Sequence, residues 1–185
     1  MVTKAVATFR SPLTGEYGES HAGGQFASAL RYAGYDALVI TGAAKRLVYL
    51  VIDGERVEIR AADAMAGMNV IETGRIIRDQ IEGAGHRSIA RIGPAGEARP
   101  GRAGIAYANL NVDTFRHFGR LGLGAVLGSK NLKAIVVEDK ERNRPADKDH
   151  AILVDGFLQF LFIDCNGNRR RSGRACVRRR ANGWL

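Results

Sequence analysis

Ala5 to Arg10 carries an apolar run of strand length, and Ser11 to Gly18 breaks it with Pro12, Gly15 and Gly18, a turn in which Tyr17 is expected to pack. From Gly24 the apolar positions take helical spacing, at Phe26, Ala29, Leu30 and Ala33, and Gly34 stops the helix. Ala37 to Ile40 and Leu47 to Ile52 are apolar enough for strands. Asp53-Gly54 is a two-residue hairpin turn, so Arg56 to Arg60, where Val57 and Ile59 alternate with charge, pairs back on the preceding strand. Asn69 to Ile81 sets Ile71, Ile76, Ile77 and Ile81 among polar residues, a second amphipathic helix ended by Glu82-Gly83. Strands follow at Ser88 to Ile92 and around Gly104 to Asn109. The glycine-rich block from Gly119 to Gly128 then turns into a short helix, and Lys133 to Val137 is a last strand. Strands and helices mix without regular βαβ alternation, which predicts an α+β fold and not a doubly wound sheet.

Beyond Glu138 the pattern changes. Glu138 to His150 is charged and linker-like, Ala151 to Ile163 is apolar, and the remainder is rich in arginine without periodicity. The chain therefore divides into a domain over residues 1–138 and a linker with an arginine-rich tail over 139–185, expected to be non-native or disordered. The formal net charge of +9 suggests nucleic acid until it is located: Arg169, Arg170, Arg171, Arg174, Arg178, Arg179 and Arg180 supply seven of the charges and leave +2 (9 − 7) elsewhere. With only Trp184 as an aromatic among them, nucleic-acid binding is the weaker reading. Cys165 and Cys176 are too few for zinc or an iron–sulfur cluster, which needs about four ligands. No apolar run approaches the roughly 20 residues that span a bilayer, and no signal-peptide pattern opens the chain. A soluble, cytoplasmic protein without membrane contact is expected.

The chemistry concentrates in Arg116-His-Phe-Gly-Arg-Leu-Gly-Leu-Gly-Ala-Val-Leu-Gly-Ser-Lys-Asn-Leu-Lys-Ala-Ile-Val137, a basic, glycine-dense turn running into an apolar strand with no acidic residue. Gly119, Gly122 and Gly124 let backbone amides approach an anion, and Arg116, Arg120 and Lys130 supply positive charge. Ser11-Pro-Leu-Thr-Gly15 and Gly18-Glu-Ser-His-Ala-Gly-Gly24 repeat the device. Two such turns in one domain suggest a ligand with two phosphates. The spacing Gly122-x-Gly124-x-x-x-Gly128 matches neither a dinucleotide fingerprint nor a Walker A loop. His21 and His117 lack companions for an imidazole metal site, and Glu19 and Glu97 read as solvated or capping carboxylates. No nucleophile and base pair is legible, so no catalytic residue is assigned.

Ser11-Pro-Leu-Thr-Gly15, Ala22-Gly-Gly24, Tyr32-Ala-Gly-Tyr-Asp-Ala37, Ile92-Gly-Pro-Ala-Gly-Glu97 and Gly124-Ala-Val-Leu-Gly-Ser-Lys-Asn-Leu-Lys-Ala134 also carry a resemblance. In order and spacing they are similar to the N-terminal domain of the aldehyde:ferredoxin oxidoreductase family, over about Lys4 to Val137. The resemblance implies duplicated α+β halves with mixed β-sheets and short helices, forming the base for a tungsten or molybdenum bis-pterin cofactor whose two phosphates are bridged by magnesium. It implies cofactor contacts at Lys4, Gly23, Gly24, Arg116, Gly119, Arg120 and Gly122, and magnesium on the backbone carbonyls of His21 and His117. It further implies oxidation of an aldehyde or related oxo substrate to a carboxylic acid, with electrons passing through a [4Fe–4S] cluster to ferredoxin. The cluster ligands are absent from this chain, which is expected to be a truncated, inactive fragment of such an enzyme. The oligomeric state, a homo-oligomer included, stays open. The alternative reading is a non-catalytic basic module that binds anions or nucleic acid.

Overall fold

The computed structural model describes residues 4–54, 56–81, 86–97, 108–113, 116–139, 159–163 and 175–179. Two sheets carry the fold. The first has five strands in the order β11-β3-β10-β1-β2, built from β1 (Ala5–Arg10), β2 (Tyr17–Ala22), β3 (Tyr35–Ile40), β10 (Gln159–Ile163) and β11 (Ala175–Arg179). The second has six in the order β5-β4-β9-β6-β7-β8, from β4 (Val48–Asp53), β5 (Arg56–Ala61), β6 (His86–Arg91), β7 (Leu110–Val112), β8 (Arg116–Phe118) and β9 (Leu132–Asp139). Parallel and antiparallel pairs mix in both, and among the described residues four short α-helices accompany them: α1 (Phe26–Tyr32), α2 (Val70–Gln80), α3 (Pro94–Glu97) and α4 (Leu123–Ser129). The α+β class read from the sequence holds.

The main core lies between the sheets. Ala5, Ala7, Phe9, Leu38 and Ile40 of the first sheet and Leu50, Ile52, Ala90, Leu110, Ile135 and Val137 of the second join Phe26, Leu30, Leu123, Val126 and Leu127 of α1 and α4 in one buried cluster. Each large apolar side chain buried there contributes about 1.5–3 kcal/mol. A second cluster lies on the opposite face of the six-stranded sheet, where Ile77 and Ile81 of the α2 segment cover Tyr49, Val51, Ile89 and Val136. The Asn69 side chain caps α2, accepting from the backbone N–H groups of Ile71 and Glu72 at 2.9 Å.

A duplication is visible in the order of elements. An antiparallel hairpin, a helix and a strand occur twice, as β1-β2-α1-β3 and as β7-β8-α4-β9. The two helices start 97 positions apart (123 − 26), and so do the strands that follow them (132 − 35). Each helix is followed by one left-handed residue, Gly34 (φ 90°) in the first unit and Asn131 (φ 55°) in the second. In both sheets a further strand sits between the last and first strands of the unit: β6 in the second, β10 in the first. The insertions run in opposite senses, since β6 is antiparallel to β9 and β7 while β10 is parallel to β3 and β1.

Several expectations are revised. Tyr17 does not pack in a turn; it begins β2 and is 69% exposed. The strand expected up to Asn109 begins at Leu110, and β8 occupies a stretch with no strand pattern in the sequence. Glu82-Gly83, residues 104–107, Cys165 and the tail arginines other than Arg178 and Arg179 lie outside the described residues. From the segment beyond Glu138, two strands enter the first sheet, β10 at its centre and β11 at its edge.

Candidate functional site

β2 and β8 are edge strands of different sheets, and they lie against each other. The contact follows from small residues. On β2 the inward positions are Gly18, Ser20 and Ala22, and a Cβ on Gly18 would stand 3.4 Å from the Leu121 side chain of the second unit. Three cross-links fasten this seam. The Arg120 backbone N–H donates to Ser20 Oγ at 3.1 Å, Ser11 Oγ donates to the Leu121 carbonyl at 3.0 Å, and the Gln25 backbone N–H donates to Asp113 Oδ2 at 2.8 Å.

The seam assembles most of the residues named from the sequence. Gly23 and Gly24 join β2 to α1, Gly119 and Arg120 follow β8, and Arg116 starts it. A Cβ on Gly24 would lie 3.4 Å from Arg116 Cγ, so the first unit's glycine turn meets the start of β8 across the interface between units. Lys4 is exposed immediately before β1, whose first residue Ala5 pairs with Ala22. His21 and His117 take equivalent places one residue before a buried apolar side chain, Ala22 or Phe118, and two before Gly23 or Gly119. Both histidines are exposed. The Phe118 ring is fully buried in the core.

Its electrostatics suit an anion. Lys4, Arg116 and Arg120 are exposed and make no ion pair among the described residues. Nothing lies within 4 Å of a Cβ placed on Gly23, so that turn opens on free space. Gly24 has φ 101°, a conformation L residues rarely adopt, and needs glycine. Beside the turn, Tyr17, Glu19 and His21 form a ladder along β2. Tyr17 Oη donates to Glu19 Oε2 at 2.9 Å, and His21 Nε2 lies 2.5 Å from Glu19 Oε1. The bond from Tyr17, then that from His21, with a smaller pull from the Arg120 charge, holds the Glu19 carboxyl below its ordinary range. The same bond pushes the Tyr17 phenol up. Among the described residues no group of three or more His, Cys, Asp and Glu side chains is placed to hold a metal, and no helix is long and apolar enough to cross a membrane.

Other residues read as anion-binding have structural tasks. Lys130 is buried at the far end of α4 and donates to the Gly42 carbonyl at 3.0 Å. The Gly124 amide donates to the Ala108 carbonyl at 2.9 Å, and a Cβ there would stand 2.4 Å from the Asn109 carbonyl oxygen. Gly128 packs still closer, since a Cβ would fall 1.6 Å from the Gly96 carbonyl oxygen. Gly122 is buried with φ 80° and starts α4. Glu97 is neither solvated nor a simple cap: it pairs with the fully buried Lys133, whose ammonium also donates to the Met68 carbonyl at 2.8 Å, and accepts from the Gly67 N–H at 2.8 Å. Asp113, which closes the seam together with Ser11 and Ser20 of the glycine-containing turns, has no motif of its own in the sequence.

Residues 1–139 match the aldehyde ferredoxin oxidoreductase, N-terminal domain. Tungsten-containing aldehyde ferredoxin oxidoreductases of Pyrococcus horikoshii and Pyrococcus abyssi are 44% and 45% identical over 139 residues, which is 75% of this chain. The chain spans 22% of the length of those two relatives. Among solved structures, the active-site complex BamBC of benzoyl coenzyme A reductase superposes with a TM-score of 0.62 and 37% identity, covering 70% of this chain and 19% of the other. The chain belongs to the aldehyde ferredoxin oxidoreductase family and corresponds to its N-terminal domain.

Proposed function

We propose that this chain is the cofactor base of a tungsten- or molybdenum-pterin oxidoreductase. The observation that carries the reading is the first unit's glycine turn meeting Arg116 of the second unit, at a seam where Lys4, Arg116 and Arg120 make no ion pair among the described residues. On it, the backbone of Gly23, Gly24 and Gly119 would approach two pterin phosphates, Lys4, Arg116 and Arg120 would neutralise them, and the carbonyls of His21 and His117 would hold a magnesium ion. A carbonyl is independent of side-chain identity, so histidine at both positions is compatible with that task. The bound metal supplies oxygen-atom and electron-transfer chemistry at the pterin dithiolenes. This chain's part is to seat and orient the group.

In the whole enzyme the reaction is oxidation of an aldehyde or related oxo compound to a carboxylic acid, with ferredoxin as acceptor through a [4Fe–4S] cluster ligated outside this chain. The fragment alone is inactive. The tungsten named in the relatives supports the metal class. A non-catalytic anion or nucleic-acid-binding module is the second reading, favoured by the net charge of +9.

Metal and pterin analysis of the chain purified without oxygen, beside Arg116→Ala, tests the proposal. Tungsten or molybdenum with pterin at near-equal amounts, lost in Arg116→Ala, is the expected result. Folded protein that carries neither, but binds nucleic acid with an affinity falling steeply as salt rises, establishes the second reading.

A further inference from the structure

We propose that Asp113 sets the distance between the two anion-binding turns and is a positioning residue for a ligand with two phosphates, an inference that rests on the cofactor-base reading. Asp113 lies in the turn between β7 and β8, three residues before Arg116, and holds φ 53°, where a non-glycine residue is uncommon. Its carboxylate reaches the first unit and the strand inserted in the second sheet. Oδ2 accepts from the Gln25 backbone N–H of the first unit at 2.8 Å, and Oδ1 accepts from Ser88 Oγ of β6 at 2.6 Å. The Asp113 backbone N–H donates to the Ile89 carbonyl at 3.1 Å, which fixes the turn from which the side chain projects. A Cβ on Gly24 would stand 2.8 Å from Oδ2 and 3.4 Å from Arg116 Cγ, so the carboxylate and the arginine stem both lie against the glycine turn.

One short, charge-assisted bond thus joins the turn that presents Gly23 and Gly24 to the strand that presents Arg116, Gly119 and Arg120. The Asp113 carboxylate bonds to an amide and a hydroxyl and also attracts the charge of Arg91, and the Arg116 guanidinium has no carboxylate partner among the described residues. The arrangement holds two anion subsites at a set spacing. A ligand occupying both depends on that spacing; one occupying either alone does not.

Calorimetric titration of the full chain with magnesium pyrophosphate and, separately, inorganic phosphate tests this, using Asp113→Ala, Asp113→Asn and Ser88→Ala. Wild-type protein is expected to prefer pyrophosphate. Asp113→Ala should weaken pyrophosphate about tenfold and phosphate less than about threefold, the range expected for losing one hydrogen bond to a charged group. Asp113→Asn, whose amide oxygen still accepts from Gln25, should stay within about threefold of wild type for both. Equal weakening of both ligands, or unchanged pyrophosphate affinity, in a folded Asp113→Ala protein overturns the proposal. Should Asp113→Ala not fold, Ser88→Ala decides, because it frees one carboxylate oxygen while keeping the charge: selective weakening of pyrophosphate supports the role and no change overturns it. Wild-type protein that binds neither ligand overturns the two-phosphate site together with this inference. Preference for pyrophosphate in wild type and in Asp113→Ala alike removes only the role of Asp113.

Discussion

At the residue scale, the site depends on a few positions where backbone conformation and close approach coincide. Gly24 is the clearest, because φ 101° and the 2.8 Å separation from the Asp113 carboxylate both exclude a side chain. Gly24→Ala is expected to destabilise the fold by about 1–3 kcal/mol and to open the seam. A urea-denaturation midpoint and a pyrophosphate titration check the two effects. Gly23→Ala, with nothing within 4 Å of the added Cβ, should leave stability near wild type. The sequence announced the glycines but not their tasks. Gly24 and Gly128 look alike in a glycine-rich string, yet one lines the open seam and the other lies against the Gly96 carbonyl. That difference is set by residues distant in sequence. Lys130 misled for the same reason: its charge is near the glycines in sequence, but one helix length carries it to the opposite end of α4.

At the element scale, strands with large apolar residues were legible and those built on small residues were not. β4 and β9 are buried runs of Val, Ile and Leu, whereas β2 turns Gly18, Ser20 and Ala22 inward and carries no hydrophobic period to read. That same smallness lets β2 approach β8, so the least visible strands form the seam. β5 was legible by its alternation, and its exposed face carries a testable ladder. Arg60 donates to Glu58 Oε2 through Nε at 2.9 Å and Nη2 at 2.6 Å, and Arg56 pairs with the other oxygen. The Arg60 bond, aided by the Arg56 charge, holds the Glu58 carboxyl below its ordinary range. A carboxyl depressed by folding stabilises the native state above its unfolded pKa of about 4.3, and the contribution disappears as pH falls through the lower native value. Glu58→Gln should therefore be less stable than wild type at neutral pH, with the gap closing in acid. Denaturation midpoints across that range measure it, and a gap independent of pH would contradict the charge-based account.

For the whole molecule, the duplication explains why one site needs both units: each contributes a hairpin edge and a glycine turn, and neither turn has a partner without the other. It also explains where the C-terminal segment sits. The second unit separates its last and first strands with β6, drawn from just upstream in the chain, and the first unit's equivalent place holds β10 from far downstream, running the opposite way. An empty place there would leave the facing edges of β1 and β3 with unpaired backbone groups. Truncation after Glu138 would remove β10 and β11 along with the tail charge, so loss of anion binding in a truncated chain could reflect a broken sheet. Replacing the tail arginines by glutamine keeps the backbone and is the cleaner separation of the two functional readings. The contribution of β10 itself is tested by Leu161→Pro. Leu161 pairs with Ala7 on one side and Leu38 on the other, so proline deletes a ladder hydrogen bond in the middle of the sheet and should destabilise the protein by about 2 kcal/mol. Because one core cluster joins both sheets, hydrogen exchange should show protection falling in β6 and β9 as well as in β1 and β3. Loss confined to β10, with β1 and β3 still protected, would mean that the first unit holds its edges without the inserted strand.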